Sequence, residues 1–97
     1  MSRPLDTQQL VRASWLTELR RQEHRQCHGS MNGPDRTVCA LQLLDEISGR
    51  SRSPYVIGQT AGLDRWQTWH VVSLNDGAYG HKHTFAEIAD VVEGWFK

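Results

Sequence analysis

Hydrophobic side chains recur at helical spacing in several stretches of this chain. Between residues 5 and 24, Val11, Trp15 and Leu19 stand four residues apart on a polar background, which predicts a helix with one apolar face. Asp6 lies where an N-cap residue would satisfy the first free amides of that helix. The first quarter of the chain is therefore predicted to be an amphipathic helix.

A second helix is predicted in the sequence TVCALQLLDEISG. Its apolar face would consist of Val38, Leu41, Leu44 and Ile47. Glycine adopts left-handed backbone angles without strain and commonly ends helices, so this helix should end at Gly49. Glycines and a proline break the periodicity between the first two helices, and we expect a short extended hairpin near residues 24–34.

Two further helices are predicted between residues 53 and 74. Ser53 followed by Pro54 is typical of a helix start, and this third helix should end at Gly62. The following segment, residues 64–74, is ambiguous. Its opening DRWQ has the spacing of a helix start, whereas WHVVSL is rich in strand-forming residues. We predict a helix in this segment.

The last helix has the clearest start signal in the chain. Thr84 and Glu87 have the spacing of a capping box, in which each side chain accepts a hydrogen bond from the other residue's backbone amide. Apolar residues then follow at helical spacing, namely Phe85, Ile88, Val92 and Trp95. A helix is therefore predicted to begin just after Thr84.

Two histidines, His81 and His83, precede this cap. A metal ion bound there would need two more ligands, and His70 and Asp76 are the nearby candidates. We favour the interpretation that this histidine pair is the lead-in to the last helix. No metal is predicted at this position.

Together these segments predict a mainly α protein, a single domain spanning residues 1–97 with four to five short helices. Its core should contain Val11, Trp15, Leu19, Leu41, Leu44, Ile47, Ile88, Val92 and Trp95. No apolar run approaches the 18 or so residues of a membrane span, and no signal-peptide pattern begins the chain. We therefore expect a cytoplasmic protein that does not associate with membranes.

The charge balance changes this picture little. The 97 residues carry 11 basic and 11 acidic groups, so no global field attracts nucleic acid or an anionic membrane. Residues 1–53 hold eight basic and six acidic groups, whereas residues 54–97 hold three and five. Nine of the cations are arginine, whose planar guanidinium suits contacts at interfaces.

The cysteines and histidines provide one further metal candidate. His24, Cys27, His28 and Cys39 could supply four ligands to zinc, but their spacing is not that of a zinc finger. In a cytosolic protein we expect both cysteines to be free thiols, with Cys39 on the core-facing side of its helix. No catalytic motif occurs, and we predict a non-enzymatic protein without metal or cofactor.

A helix-turn-helix is an alternative reading of residues 54–74, with AGL as the turn. Gly58 falls where such motifs usually place a small alanine. Thr68 falls where the second helix usually places an apolar core residue, and Trp69 comes one position too late. Arg65 is the cation that this second helix would bring to a DNA groove. The motif is therefore imperfect, and a small DNA-binding regulator is the alternative function.

The chain also resembles a group of small uncharacterised phage and prophage proteins. The resemblance spans residues 15–95 and is carried by WLTELRR, AGL, LND and TFAEIADVVE. The group usually has paired cysteines where this chain has Val38 and Cys39, and a further cysteine in place of Leu44. The group implies no activity, but it does imply an origin in a bacterial host cell.

That resemblance, with the absence of catalytic motifs, leads to the function we expect. Small proteins of mobile elements often act by binding a host machine. We predict a non-enzymatic protein that inhibits or modulates a host protein or ribonucleoprotein complex, of which a CRISPR–Cas effector is one example. The chain contains four tryptophans, and tryptophan, tyrosine and arginine dominate interface hot spots. The predicted partner-binding residues are Arg20, Arg21, Arg25, Trp66, Tyr79 and His81.

Overall fold

The computed structural model of the protein describes residues 5–27, 38–49, 53–77 and 80–96. This part of the chain forms five α-helices: α1 (Leu5–Arg21), α2 (Ala40–Ser48), α3 (Pro54–Thr60), α4 (Arg65–Asp76) and α5 (Phe85–Trp95). The predicted mainly α fold is confirmed, including the helix in the ambiguous segment 64–74. None of the described helices has the length and hydrophobicity that crossing a bilayer requires.

The helices enclose one hydrophobic core. Helix α1 packs on α2, α3 and α5, and α4 packs on α2, α3 and α5. Six of the nine predicted core residues are buried, namely Trp15, Leu19, Leu41, Leu44, Ile88 and Val92. The other three, Val11, Ile47 and Trp95, are partly buried and pack against the core. The indole of Trp15 also donates a hydrogen bond of 2.9 Å to the carbonyl of Ala40.

The predicted starts of α1 and α2 need correction. Asp6 lies inside α1 rather than at its N-cap. Helix α2 begins at Ala40, so Cys39 is its N-cap and the Cys39 sulfur accepts a hydrogen bond from the Gln42 amide. Val38 precedes the helix because it pairs in parallel with Gln26 as an isolated β-bridge. Backbone pairing with a distant segment therefore delays the start of this helix.

The predicted hairpin near residues 24–34 lies mostly outside the described residues. At its described end, a short 3₁₀ helix spans Glu23–Arg25. The next residue, Gln26, forms the parallel bridge to Val38, whereas a hairpin pairs antiparallel strands. Residues 28–37 are not described.

A buried asparagine joins three parts of the chain. The side-chain oxygen of Asn75 accepts hydrogen bonds from the Gln26 amide group at 2.9 Å and from the Ala40 backbone at 3.3 Å. Its nitrogen donates to the carbonyl of Cys27 at 2.8 Å and to the carboxylate of Asp76 at 2.9 Å. These four bonds use the full capacity of one amide side chain. Asn75 therefore fixes α4 to the start of α2.

Gln26 extends this network to α5. Its side-chain nitrogen donates to the carbonyl of His83 at 2.7 Å, and its oxygen accepts from the amide of Phe85 at 3.1 Å. The amide of His83 in turn donates to the carbonyl of Leu74 at 2.9 Å. The entry to α5 is therefore held against the end of α4.

Helices α3 and α4 are joined by a tight helix–turn–helix connection. Gly62, in the turn, has φ of +82°, a conformation that glycine adopts without strain. Thr68 is buried, and its hydroxyl donates to the carbonyl of Asp64 at 2.8 Å. A Cβ on Gly58 would lie 1.9 Å from the Thr68 hydroxyl oxygen. The two residues that looked imperfect in the motif therefore fit each other.

We predict that Asn75→Ala lowers the free energy of unfolding by about 2–4 kcal/mol, because it leaves buried polar groups without partners. Urea unfolding followed by circular dichroism measures this loss. The control is Gln59→Ala, which removes an exposed amide from α3 and should cost less than about 0.5 kcal/mol. Equal losses in the two variants would contradict the structural role of Asn75.

We predict that Gly58→Ala destabilises the protein by about 1–3 kcal/mol, although alanine is the better helix former. The same change should cost less in a Thr68→Ala background, because the colliding hydroxyl is then absent. In Gly94→Ala, the matched control on α5, the new methyl meets no atom within 4 Å. That variant should gain roughly 0.5–1 kcal/mol. Stabilisation by Gly58→Ala in urea unfolding would show that the contact is not tight.

Candidate functional site

Four aromatic side chains form a patch on the surface of α4 and α5. We call Trp66, Trp69, His70 and Trp95 the aromatic patch. The indole of Trp66 stacks on the imidazole of His70, with ring centroids 4.7 Å apart and planes 17° from parallel. The ring of Trp95 is tilted against both, at 5.9 Å from Trp66 and 5.6 Å from His70. Trp66 is nevertheless 63% exposed and Trp69 49% exposed.

Helix periodicity and the capping box of α4 determine where the α4 part of this patch lies. Residues four apart on a helix are surface neighbours, which brings the rings of Trp66 and His70 together. The start of α4 is fixed by a capping box, in which the Gln67 amide donates to the Asp64 carboxylate at 2.7 Å and the Asp64 amide donates to the Gln67 side chain at 3.0 Å. Trp66 is therefore displayed from a well-anchored first turn.

The patch is large enough to anchor an interface. A fully exposed aromatic side chain removes roughly 150–250 Å² from water when it is covered. At ~25 cal/mol per Å², covering the exposed parts of Trp66 and Trp69 offers about 4–7 kcal/mol. Association costs on the order of 4–15 kcal/mol because the two molecules lose translational and rotational freedom. The patch could therefore act as the centre of a larger interface, but it does not suffice alone.

The arginines predicted to bind a partner make contacts within the protein. Arg20 of α1 donates to the carboxylates of Asp90 at 2.7 Å and Glu93 at 3.0 Å, both on α5. Both terminal nitrogens of Arg25 reach the carboxylate of Glu46 on α2, at 3.2 Å each. Their role in binding a partner stays a prediction, and binding would have to compete with these ion pairs.

Arg21 is the most available of the three arginines. Its Nε lies 3.2 Å from the carboxylate of Glu18 one turn earlier, but 72% of its side chain is exposed. An exposed ion pair of this kind contributes at most about 1 kcal/mol. Of the helix-one arginines, Arg21 is therefore the one that could exchange its partner at the lowest cost.

His81 lies away from the aromatic patch. Its ring meets His83 edge-on at 4.7 Å, and its Nε2 is 3.6 Å from the carboxylate of Glu87. These contacts are at the N-terminal end of α5, whereas Trp95 is at the C-terminal end, about 15 Å further along the axis at 1.5 Å per residue. Tyr79, the remaining predicted site residue, lies outside the described residues.

The predicted capping box of α5 is present. The Glu87 amide donates to the Thr84 hydroxyl at 3.1 Å, and the Thr84 amide donates to the Glu87 carboxylate at 2.8 Å. This hydrogen bond from the Thr84 backbone holds the pKa of the Glu87 carboxyl below its ordinary value, and the nearby His81 and His83 add smaller effects in the same direction. The histidine pair thus belongs to the helix start.

The described cysteine and histidine candidates for zinc differ in their exposure to solvent. Cys39 is buried, and burial raises the pKa of its thiol. Cys27 is partly buried, and neither cysteine forms a disulfide bond. His24 is exposed, while His28 lies outside the described part of the chain. Among the described residues, no three His, Cys, Asp or Glu side chains come together to hold a metal ion.

The surface of α4 offers a single cation to a DNA groove. Arg65 is the one lysine or arginine in the sequence from residue 53 to residue 77, and it is flanked by Asp64. Contacts with DNA depend on several cations that neutralise phosphates. In addition, Trp95 of α5 packs against Trp66 and His70, so part of the outward face of α4 is already covered.

Comparison with protein-family models, curated proteins and solved structures finds no match for this chain.

We predict that the stability of the protein falls as the pH is lowered through the pKa of Glu87. The folded pKa lies below the unfolded one, so the stabilising contribution is present above the unfolded value of about 4.3 and is lost as Glu87 becomes protonated. Glu87→Gln keeps an acceptor for the Thr84 amide but does not titrate. Its urea-unfolding free energy should therefore change less between about pH 5 and pH 3. An NMR titration that placed the pKa of Glu87 at or above the ordinary value of a glutamate would contradict the proposed effect of the Thr84 hydrogen bond.

Proposed function

We propose that the protein is a non-enzymatic binding module that engages a partner protein through the aromatic patch. The observation that carries this proposal is the exposed, stacked arrangement of Trp66 on His70, with Trp95 against both. Such side chains supply most of the binding energy at protein interfaces when a partner excludes water from them.

The rigidity of the patch supports this proposal. The rings of Trp66, His70 and Trp95 are already held by one another and by two packed helices, so binding would order few additional torsions. The neutral overall charge also fits a protein surface better than a phosphate backbone. A partner that covers the patch would meet a preformed aromatic surface.

The narrower proposal is that this partner is a host complex of a bacterial cell and that binding inhibits or modulates it. This part rests on the resemblance to small phage and prophage proteins alone. The aromatic patch is compatible with any protein partner that offers a complementary apolar pocket.

We predict that Trp66→Ala and Trp69→Ala together weaken partner binding by at least about 30-fold, because a hot-spot residue contributes about 2 kcal/mol or more. The tagged protein is expressed in a bacterial host, cross-linked and purified, and the affinity of the captured partner is then measured by calorimetry. The matched control is Leu10→Ala, which removes a 68% exposed apolar side chain from α1. Leu10→Ala should retain the partner, and all variants should keep their melting temperature within a few degrees.

Two outcomes would contradict the proposal. The first is a partner that binds the tryptophan variant and the wild type with similar affinity. The second is the DNA-binding alternative, tested by electrophoretic shifts with a random duplex and with DNA upstream of the protein's own gene, at two salt concentrations. A specific shift that falls steeply with salt and requires Arg65 would establish that alternative instead.

A further inference from the structure

A groove lies between α1 and the C-terminal end of α5. It has a volume of about 290 Å³ and is lined by Gln9, Arg12, Ala13, Leu16, Glu93 and Phe96. The guanidinium of Arg12 stacks on the ring of Phe96, with its carbon 3.6 Å from the ring centroid. This cation–π contact and the packed helix hold the arginine at the side of the groove.

Arg12 differs from the arginines at and just beyond the other end of α1. Its Nη1 donates to the carbonyl of Ala61 at 3.0 Å, at the end of α3. Arg20, Arg21 and Arg25 each pair with a carboxylate, whereas no carboxylate of the described residues lies within ion-pairing distance of Arg12. Burial lowers the pKa of the Arg12 guanidinium.

Glu93 also lines the groove but is held by another residue. Its carboxylate accepts a hydrogen bond of 3.0 Å from Arg20, which lies two helical turns beyond Arg12. Arg12 therefore keeps Nε and Nη2 free of hydrogen bonds to the described residues. Guanidinium N–H groups in this fork geometry bind a carboxylate through two parallel hydrogen bonds.

We propose that this groove receives the carboxylate of an aspartate or glutamate from the protein that covers the aromatic patch. The inference rests on the proposed function. Trp95 and Phe96 are consecutive residues: Trp95 contacts the rings of α4, and Phe96 contacts Arg12 of α1. One partner segment lying across the end of α5 would meet both surfaces.

The chemistry of the groove favours a carboxylate in an apolar setting. Ala13 and Leu16 line the groove beside Arg12, which suits an apolar residue next to the acidic one. Glu93 contributes a negative charge nearby. That charge repels the closely repeated charges of a nucleic-acid backbone more strongly than the single charge of one carboxylate. An acidic protein segment is therefore the occupant that fits, rather than the backbone of a nucleic acid.

The test uses NMR with the ¹⁵N-labelled protein and a short peptide of alternating leucine and glutamate. The Arg12 Nε–H signal and the Phe96 amide should shift with saturation in the millimolar range. A peptide with glutamine in place of glutamate should leave them unchanged. Arg12→Gln, which removes the charge and the guanidinium fork, should weaken peptide binding at least tenfold. Arg12→Lys, which keeps the charge but not the fork, should weaken it less.

Two further variants sharpen the test. Glu93→Gln should strengthen peptide binding severalfold, because it removes the repelling charge. Arg65→Gln, a control at an exposed arginine of α4, should change nothing. Equal shifts with the glutamine peptide, or weaker binding by Glu93→Gln, would overturn the inference. A DNA duplex that shifts Arg12 at lower concentration than the acidic peptide would overturn it in favour of phosphate.

The captured partner separates this inference from the proposed function. If Arg12→Gln binds the partner as the wild type does while the tryptophan variant does not, the groove inference fails and the aromatic patch stands. If the tryptophan variant retains the partner, the proposed function fails, whatever the peptide does at Arg12.

Discussion

The fold depends on two hydrogen-bonded amide side chains, the buried Asn75 and the partly buried Gln26. An apolar core determines which helix faces are buried, but hydrophobic contacts tolerate small shifts because they have no direction. The hydrogen bonds of these two amides are directional, and they connect the end of α4 to the start of α2 and the entry of α5. The relative position of Trp66 and Trp95 follows from this connection, since one ring lies on α4 and the other on α5.

The starts of α4 and α5 depend on neighbours in sequence and could be predicted, although the predicted cap at Asp6 was wrong. The capping boxes of α4 and α5 require only residues three apart, and both are present. Features that depend on distant residues could not. Helix α2 starts later than its periodicity indicates because Val38 pairs with Gln26. Thr68 departs from the apolar residue that a helix-turn-helix usually has at this position. Its close approach to Gly58 on α3 explains why a threonine fits there, and the sequence alone does not show that approach.

The candidate site likewise combines contacts between sequence neighbours, which could be predicted, with contacts between distant residues, which could not. The spacing of Trp66 and His70 contains the signal for a stacked pair, because residues four apart share a helix face. Nothing in the local sequence places Trp95 beside them or Phe96 over Arg12, since these contacts join separate helices. The sequence analysis predicts that Arg20 binds a partner protein, yet within this protein its carboxylate partners stand 70 and 73 residues later.

The packing of α1 on α5 also has a consequence for synthesis of the chain. The residues joined by the Arg20–Asp90 ion pair are 70 positions apart, so most of the chain must be made before α1 meets this partner. At roughly 5–20 residues per second, the ribosome needs about 4–14 s for that interval. During this time the face of α1 that later contacts α5 stays uncovered. It is then accessible to chaperones and to other nascent chains on the same messenger RNA.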